Sequence, residues 1–180
     1  MKICIFGGNG FIGGNLAKEY LRKGHKVHIY SQTKVNRSFK FKNNTKIKYN
    51  EKNFKLILKK KFDIIFFFSG NSNQETSKND IYYDLETTFN SYVSLLEAAK
   101  KINFKYPIWF ASSVVVYGSN NKPLKENFDL NPLSFYAVTK LICEIISKFY
   151  SKNHNLNIGI LRIFSTFGPG LKRQVVYDTI

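Results

Sequence analysis

Tyr136 and Lys140, in the run Tyr136-Ala-Val-Thr-Lys140, have the spacing to handle a proton together. On a helix, residues i and i+4 share a face. An ammonium beside a phenol favours the phenolate, so the tyrosine can act as acid or base near neutral pH. The pattern is short. With 11 Tyr and 24 Lys in 180 residues, chance supplies about one or two matches. A second match, Tyr30 to Lys34, does occur, and position in the fold must separate the two. The other chemically suggestive residues are Gly7, Gly10 and Gly13, directly after the apolar run Ile3-Cys-Ile-Phe6. Here Gly7 permits a tight turn, Gly10 lets the backbone approach a diphosphate, and Gly13 lets the next helix lie against the strand. The spacing is G-x-x-G-x-x-G, one residue from the usual dinucleotide fingerprint. Phe11 and Ile12 open that helix and belong to the same candidate cofactor site.

The elements that must carry these residues alternate between strand and helix, which predicts an α/β fold with a parallel, doubly wound sheet. Strands are predicted at residues 2–6, 26–30, 46–49, 63–68, 107–112 and 157–163. Helices are predicted at 11–23, 53–60, 80–101 and 134–150, and residues 31–45 read as a polar loop. The run 63–68 is continuously apolar, as expected of a strand covered on both faces. The carboxyl ends of such strands face the ligand crevice. Ser112 and Ser113 lie at the end of the fifth strand and Tyr136 follows on the next helix, so Tyr136 and Lys140 fall where chemistry belongs. Tyr30 and Lys34 are then the chance match. For Ser112, a strand-end hydroxyl bonded to backbone is the preferred reading.

At 180 residues and 43% hydrophobic, the chain can bury a substantial core in one domain. No apolar run reaches membrane length, and the apolar stretch before the glycines is too short for a signal-peptide core. Cys4 and Cys143 lack metal or disulfide spacing and read as buried thiols of a cytoplasmic protein. His25, His28 and His154 form no metal pattern. The net charge of +16 comes mostly from scattered Lys, with only four Arg among 28 basic residues. Nucleic-acid surfaces favour the bidentate fork of Arg, so nucleic acid is not the expected partner. A positive field suits an anionic nucleotide equally well.

Taken in order, the stretches 7–13, 63–70, 95–99, 112–118, 136–140 and 161–170 make the chain resemble the extended short-chain dehydrogenase/reductase family, in its NAD-dependent epimerase/dehydratase group. The resemblance implies a Rossmann-type sheet over residues 1–180, an NAD or NADP cofactor, a nucleotide-sugar substrate and a possible homodimer. It implies that Tyr136 exchanges a proton with the sugar, and that Lys140 holds the nicotinamide ribose and acidifies Tyr136. Ser113, five residues before Gly118, would bond the same substrate oxygen. Members usually exceed 300 residues, with a C-terminal portion completing the substrate pocket, so most of that portion is expected to be absent or truncated here.

Several positions depart from the family pattern. Phe67-Phe68-Ser69-Gly70 stands where His-Leu-Ala-Ala is common, yet Ser69 and Gly70 are small enough to pass a cofactor across the strand end. Thr88 replaces an Asn on the long helix, and Ser165 replaces the Asn of the F-N-x-Y-G-P stretch, at a substrate-contacting position. At the end of the second strand, NAD-preferring relatives carry an acidic residue; this chain has Ser31, then Lys34 and Arg37. Hydroxyls and cations there favour NADP. Sugar dehydratases of the family place Thr-Asp-Glu where Ser113-Val114-Val115 stands, and elimination needs the extra acid and base. A 4-epimerase is therefore the leading reading and a nucleotide-sugar or keto reductase the next. A noncatalytic dinucleotide-binding module remains the alternative of another class.

Overall fold

The computed structural model describes residues 1–32 and 40–171. Six parallel strands form one sheet in the order β3-β2-β1-β4-β5-β6. They are β1 (Lys2–Phe6), β2 (Lys26–Ser31), β3 (Asn44–Lys46), β4 (Ile64–Phe67), β5 (Ile108–Ser113) and β6 (Ile158–Ile163). The strand order reverses between β1 and β4, and this switch point opens the crevice. The helices are α1 (Phe11–Arg22), α2 (Glu51–Leu58), α3 (Gln74–Asn79), α4 (Ile81–Asp84), α5 (Ser91–Lys101) and α6 (Phe135–His154).

Alternation along the strands divides the core. Ile3 and Ile5 of β1 pack with Val27, Ile29 and Phe66 under α1, which contributes Ala17. Cys4 and Phe6 point to the opposite face, into an aromatic cluster covered by α2, α5 and α6. Tyr92 and Phe110 stack there with centroids 4.3 Å apart, and Phe6 meets Phe54 edge-on at 5.0 Å. Each such ring, fully buried, contributes about 1.5–3 kcal/mol.

Six expectations are corrected. The third strand is Asn44–Lys46, not 46–49; the polar edge strand pairs Ser31 with Lys46, while Tyr49 turns into the core. Residues 44 and 45 therefore leave the predicted 31–45 loop. The second helix starts two residues earlier than predicted because Asn50 accepts the Asn53 amide as its N-cap. The helix predicted over 80–101 is α4 and α5 joined by a π-helical turn, Leu85–Asn90. The short α3 was unforeseen, and α6 runs four residues past the predicted end, to His154. Both cysteines are buried and free.

Candidate active site

A cleft of about 770 Å³ lies across the carboxyl ends of the strands, in the size range of small-molecule and cofactor sites. One end is the glycine turn. Gly7 has φ +81°, and a Cβ there would lie 2.6 Å from the Phe68 carbonyl, so the β1 turn presses directly against the end of β4. A Cβ on Gly13 would lie 2.6 Å from the Gly7 oxygen, so only glycine lets α1 start this close. The N-cap of α1 is Gly10, with no side-chain cap bond and no acidic residue in the first turn. The first-turn amides thus face the cleft with a partial positive charge. That arrangement fits the diphosphate of a dinucleotide.

The structure gathers Gly7, Gly10, Phe11, Ile12, Gly13 and Ser31 along this end of the cleft. Ser69 and Gly70 form its wall after β4, as their small size allows. Lys34 and Arg37 lie outside the described residues. At the other end, Ser113, Tyr136, Lys140 and Ser165 line the same cleft.

Tyr136 and Lys140 occupy the first two turns of α6, which starts where Ser134 caps the Ala137 amide at 3.2 Å. The Lys140 ammonium is 5.6 Å from the Tyr136 ring centroid and 5.3 Å from that of Phe110. It donates to the Ala111 carbonyl at 3.0 Å and is only 5% exposed. Burial pushes its pKa down, opposed by the Cys143 sulfur and the Asp84 carboxylate. Ser113 ends β5 and caps the following 3₁₀ turn, Val114–Tyr117, through a long 3.5 Å bond from the Val115 amide. Tyr30 is elsewhere: its ring packs on Phe6 and its hydroxyl accepts from Lys60 at 3.2 Å.

Ser112 does not bond backbone as expected. Its hydroxyl donates to the fully buried Glu144 carboxylate, one turn beyond Lys140. Arg162 closes the group from β6, with Nε 3.0 Å and Nη2 2.8 Å from the Glu144 oxygens. Its Nη1 reaches the Tyr117 hydroxyl at 2.7 Å and the Glu126 carbonyl at 3.0 Å. The carboxylate and phenol oxygens around it push the Arg162 pKa further up. One fork thus ties together β5, α6, β6 and the 3₁₀ turn, all of which carry cleft residues.

Sequence reasoning missed the polar wall formed by Asn71, Asn73 and Gln74, together with Tyr83 and Thr87. The signal was the run Asn-Ser-Asn after Gly70, residues that cap turns and helix starts. Indeed Asn73 caps α3. Thr88 also gains a local role. Its hydroxyl accepts the Asn71 amide at 2.9 Å, and a Cβ on Gly70 would lie 2.6 Å from it. Among the described residues no group of three or more His, Cys, Asp or Glu could hold a metal. No described helix is long and apolar enough to cross a membrane.

Comparison with known proteins agrees with this geometry. The model of the NAD dependent epimerase/dehydratase family matches residues 3–179. The chain belongs to this family. An uncharacterized UDP-glucose epimerase, YtcB, of Bacillus subtilis is 31% identical over 194 residues, covering 100% of this chain and 61% of that protein. The UDP-glucose 4-epimerase of Lactobacillus helveticus is 29% identical over 186 residues, covering 99% and 56%. The structure of UDP-glucuronic acid 4-epimerase from Bacillus cereus, in complex with UDP-glucuronic acid and NAD, superposes with TM-score 0.76 at 25% identity over 90% of this chain and 56% of that one. The chain thus spans somewhat over half the length of these epimerases. Family membership agrees with a Rossmann-type fold, as the sheet order shows.

Proposed function

We propose that the protein is a nucleotide-sugar 4-epimerase using NAD or NADP. What supports this most is the presence of Tyr136, Lys140 and Ser113 in the same cleft as the glycine turn. A bound dinucleotide would supply the hydride chemistry at one sugar carbon, and Gly7, Gly10, Gly13 and Lys140 would hold it in the cleft. Tyr136 takes the hydroxyl proton as that carbon becomes a ketone and gives it back as the hydroxyl re-forms. Ser113 donates to the same oxygen and holds it in place, its long bond to Val115 being easily exchanged. Lys140, held by the Ala111 carbonyl, stabilises the tyrosinate by its charge and would donate to the cofactor ribose. Ser165, exposed at the cleft edge, contacts the substrate. Val114 and Val115 line the cleft and offer no second acid or base, which argues against dehydration. A uridine nucleotide is the expected carrier, because the named relatives act on UDP-sugars.

Ser31 offers no carboxylate to a ribose 2′-hydroxyl, so NADP is expected to bind at least as well as NAD. Ile81 and Tyr82 of α4 and Ile145 and Phe149 of α6 are exposed apolar residues that a second copy would cover. The free thiols suit a reducing cytoplasm.

The test is interconversion of UDP-glucose and UDP-galactose by the longest reading frame that contains this sequence. Tyr136→Phe should lower turnover at least about a hundredfold and leave cofactor affinity within about twofold, because the lost hydroxyl acts on the proton. Tyr30→Phe should leave turnover unchanged. Stoichiometric consumption of reduced cofactor would identify the reductase instead, and cofactor binding without any turnover would identify a binding module. Full activity in Tyr136→Phe would overturn the assignment.

A further inference from the structure

Asn15 ties the chain that leaves β6 to the helix at the far end of the cleft. Its side-chain amide has two hydrogens to give. One goes to the Phe11 carbonyl of its own helix at 2.9 Å, the other to the Pro169 carbonyl at 3.1 Å. Beside this bond, a Cβ on Gly168 would come to 4.0 Å from the Phe11 ring. The turn that delivers Pro169 is closed by the Leu171 amide on the Gly168 carbonyl at 3.2 Å. Gly168 at φ +148° and Gly170 at φ +90° supply its backbone conformation.

The topology makes this segment a strap. In the sheet β6 stands three places from β1, about 14 Å at the usual spacing of neighbouring strands. Residues 164–169 cover that distance over the carboxyl ends of β5 and β4. On the way Ser165 and Thr166 line the cleft, and Phe11 lines it where the strap lands. A dinucleotide whose diphosphate sits on the first-turn amides of α1 lies beside that landing point. On this side it can enter or leave only when the strap parts from α1.

We propose that Asn15 is a positioning residue that holds the 164–171 strap across the bound dinucleotide and slows its exchange. This rests on reading the cleft as a dinucleotide site. Slow exchange suits a reaction in which the hydride returns to the sugar it came from, because the cofactor need not leave between turnovers. The test is stopped-flow fluorescence with NADH, by mixing for the association rate and by a chase with excess NAD for the dissociation rate. In Asn15→Ala both rates should rise about fivefold, the worth of one hydrogen bond, and their ratio should stay within about twofold. Ala is the better helix former, so the variant should fold. Should it not, Pro169→Gly, which slackens the strap without touching α1, should give the same paired rise. A residue that merely shaped the binding surface would raise the dissociation rate alone and weaken NADH. That outcome, or unchanged rates in a folded variant, would overturn the proposal while the cofactor reading stands. If the wild type binds no NADH, both fall.

Discussion

Removing Arg162 should expose how strongly the floor of the site depends on one ion pair. The Glu144 side chain is 1% exposed and that of Arg162 16%, so the variant Arg162→Met strands a carboxylate out of water. Among the described residues Glu144 would keep only the Ser112 hydroxyl, and the Tyr117 hydroxyl and Glu126 carbonyl would each lose a donor. Breaking a buried pair from one side costs about 3–5 kcal/mol, against the roughly 5–15 kcal/mol that holds a typical domain together. For a chain of this size each kcal/mol moves the midpoint about 2–4 °C, so the expected fall is roughly 6–20 °C by calorimetry. The double variant Arg162→Met/Glu144→Leu should recover at least half of it, since no buried charge remains. A fall of less than about 2 °C, or no recovery in the double variant, would refute the reasoning.

Lys140→Met should weaken NADH at least about tenfold yet melt no lower than the wild type at pH 7. Burial lowers the folded pKa of Lys140, so its charge is a cost at neutral pH that fades as pH rises through the lowered folded value toward the unfolded one. Melts at pH 7 and pH 10 should show the advantage of Met disappearing at the higher pH. Calorimetric titration should find NADP bound at least as tightly as NAD, and a tenfold preference for NAD, about 1.4 kcal/mol, would reject the role given to Ser31.

The parts of the fold that were legible in the sequence are those where one residue type has one physical use. The apolar runs of β1, β4 and β5 end at glycine or serine, and their order predicted the sheet. Gly7, Gly13, Tyr136 and Lys140 meet in one cleft as their spacing and positions implied. The edge strand β3 was misplaced because Asn44–Lys46 is polar and pairs on one side only, while the apolar Ile47 and Tyr49 that suggested a strand pack into the core instead. The six residues of α3 are too few to show a period, and the π turn after Asp84 changes hydrogen-bond register without changing the apolar pattern. Ser112 was misread because its partner, Glu144, lies 32 residues away on α6. Local sequence gives no hint of such a pairing.

The central claim is that the amides at the start of α1 hold a dinucleotide diphosphate, and Gly10→Asp tests it most directly. Gly10 is the N-cap, in an extended conformation (φ −80°, ψ 172°) that any residue adopts, and a Cβ there would lie 3.3 Å from the Gly7 oxygen, which must give by a few tenths of an ångström. Asp is a better N-cap than Gly by a few tenths of a kcal/mol and its charge suits the helix terminus. The same carboxylate would occupy the amides that a diphosphate needs. NADH titrated by fluorescence into both proteins should bind the wild type saturably and Gly10→Asp at least about a hundredfold more weakly, with the variant still melting cooperatively. Equal binding by a folded Gly10→Asp protein would contradict the account.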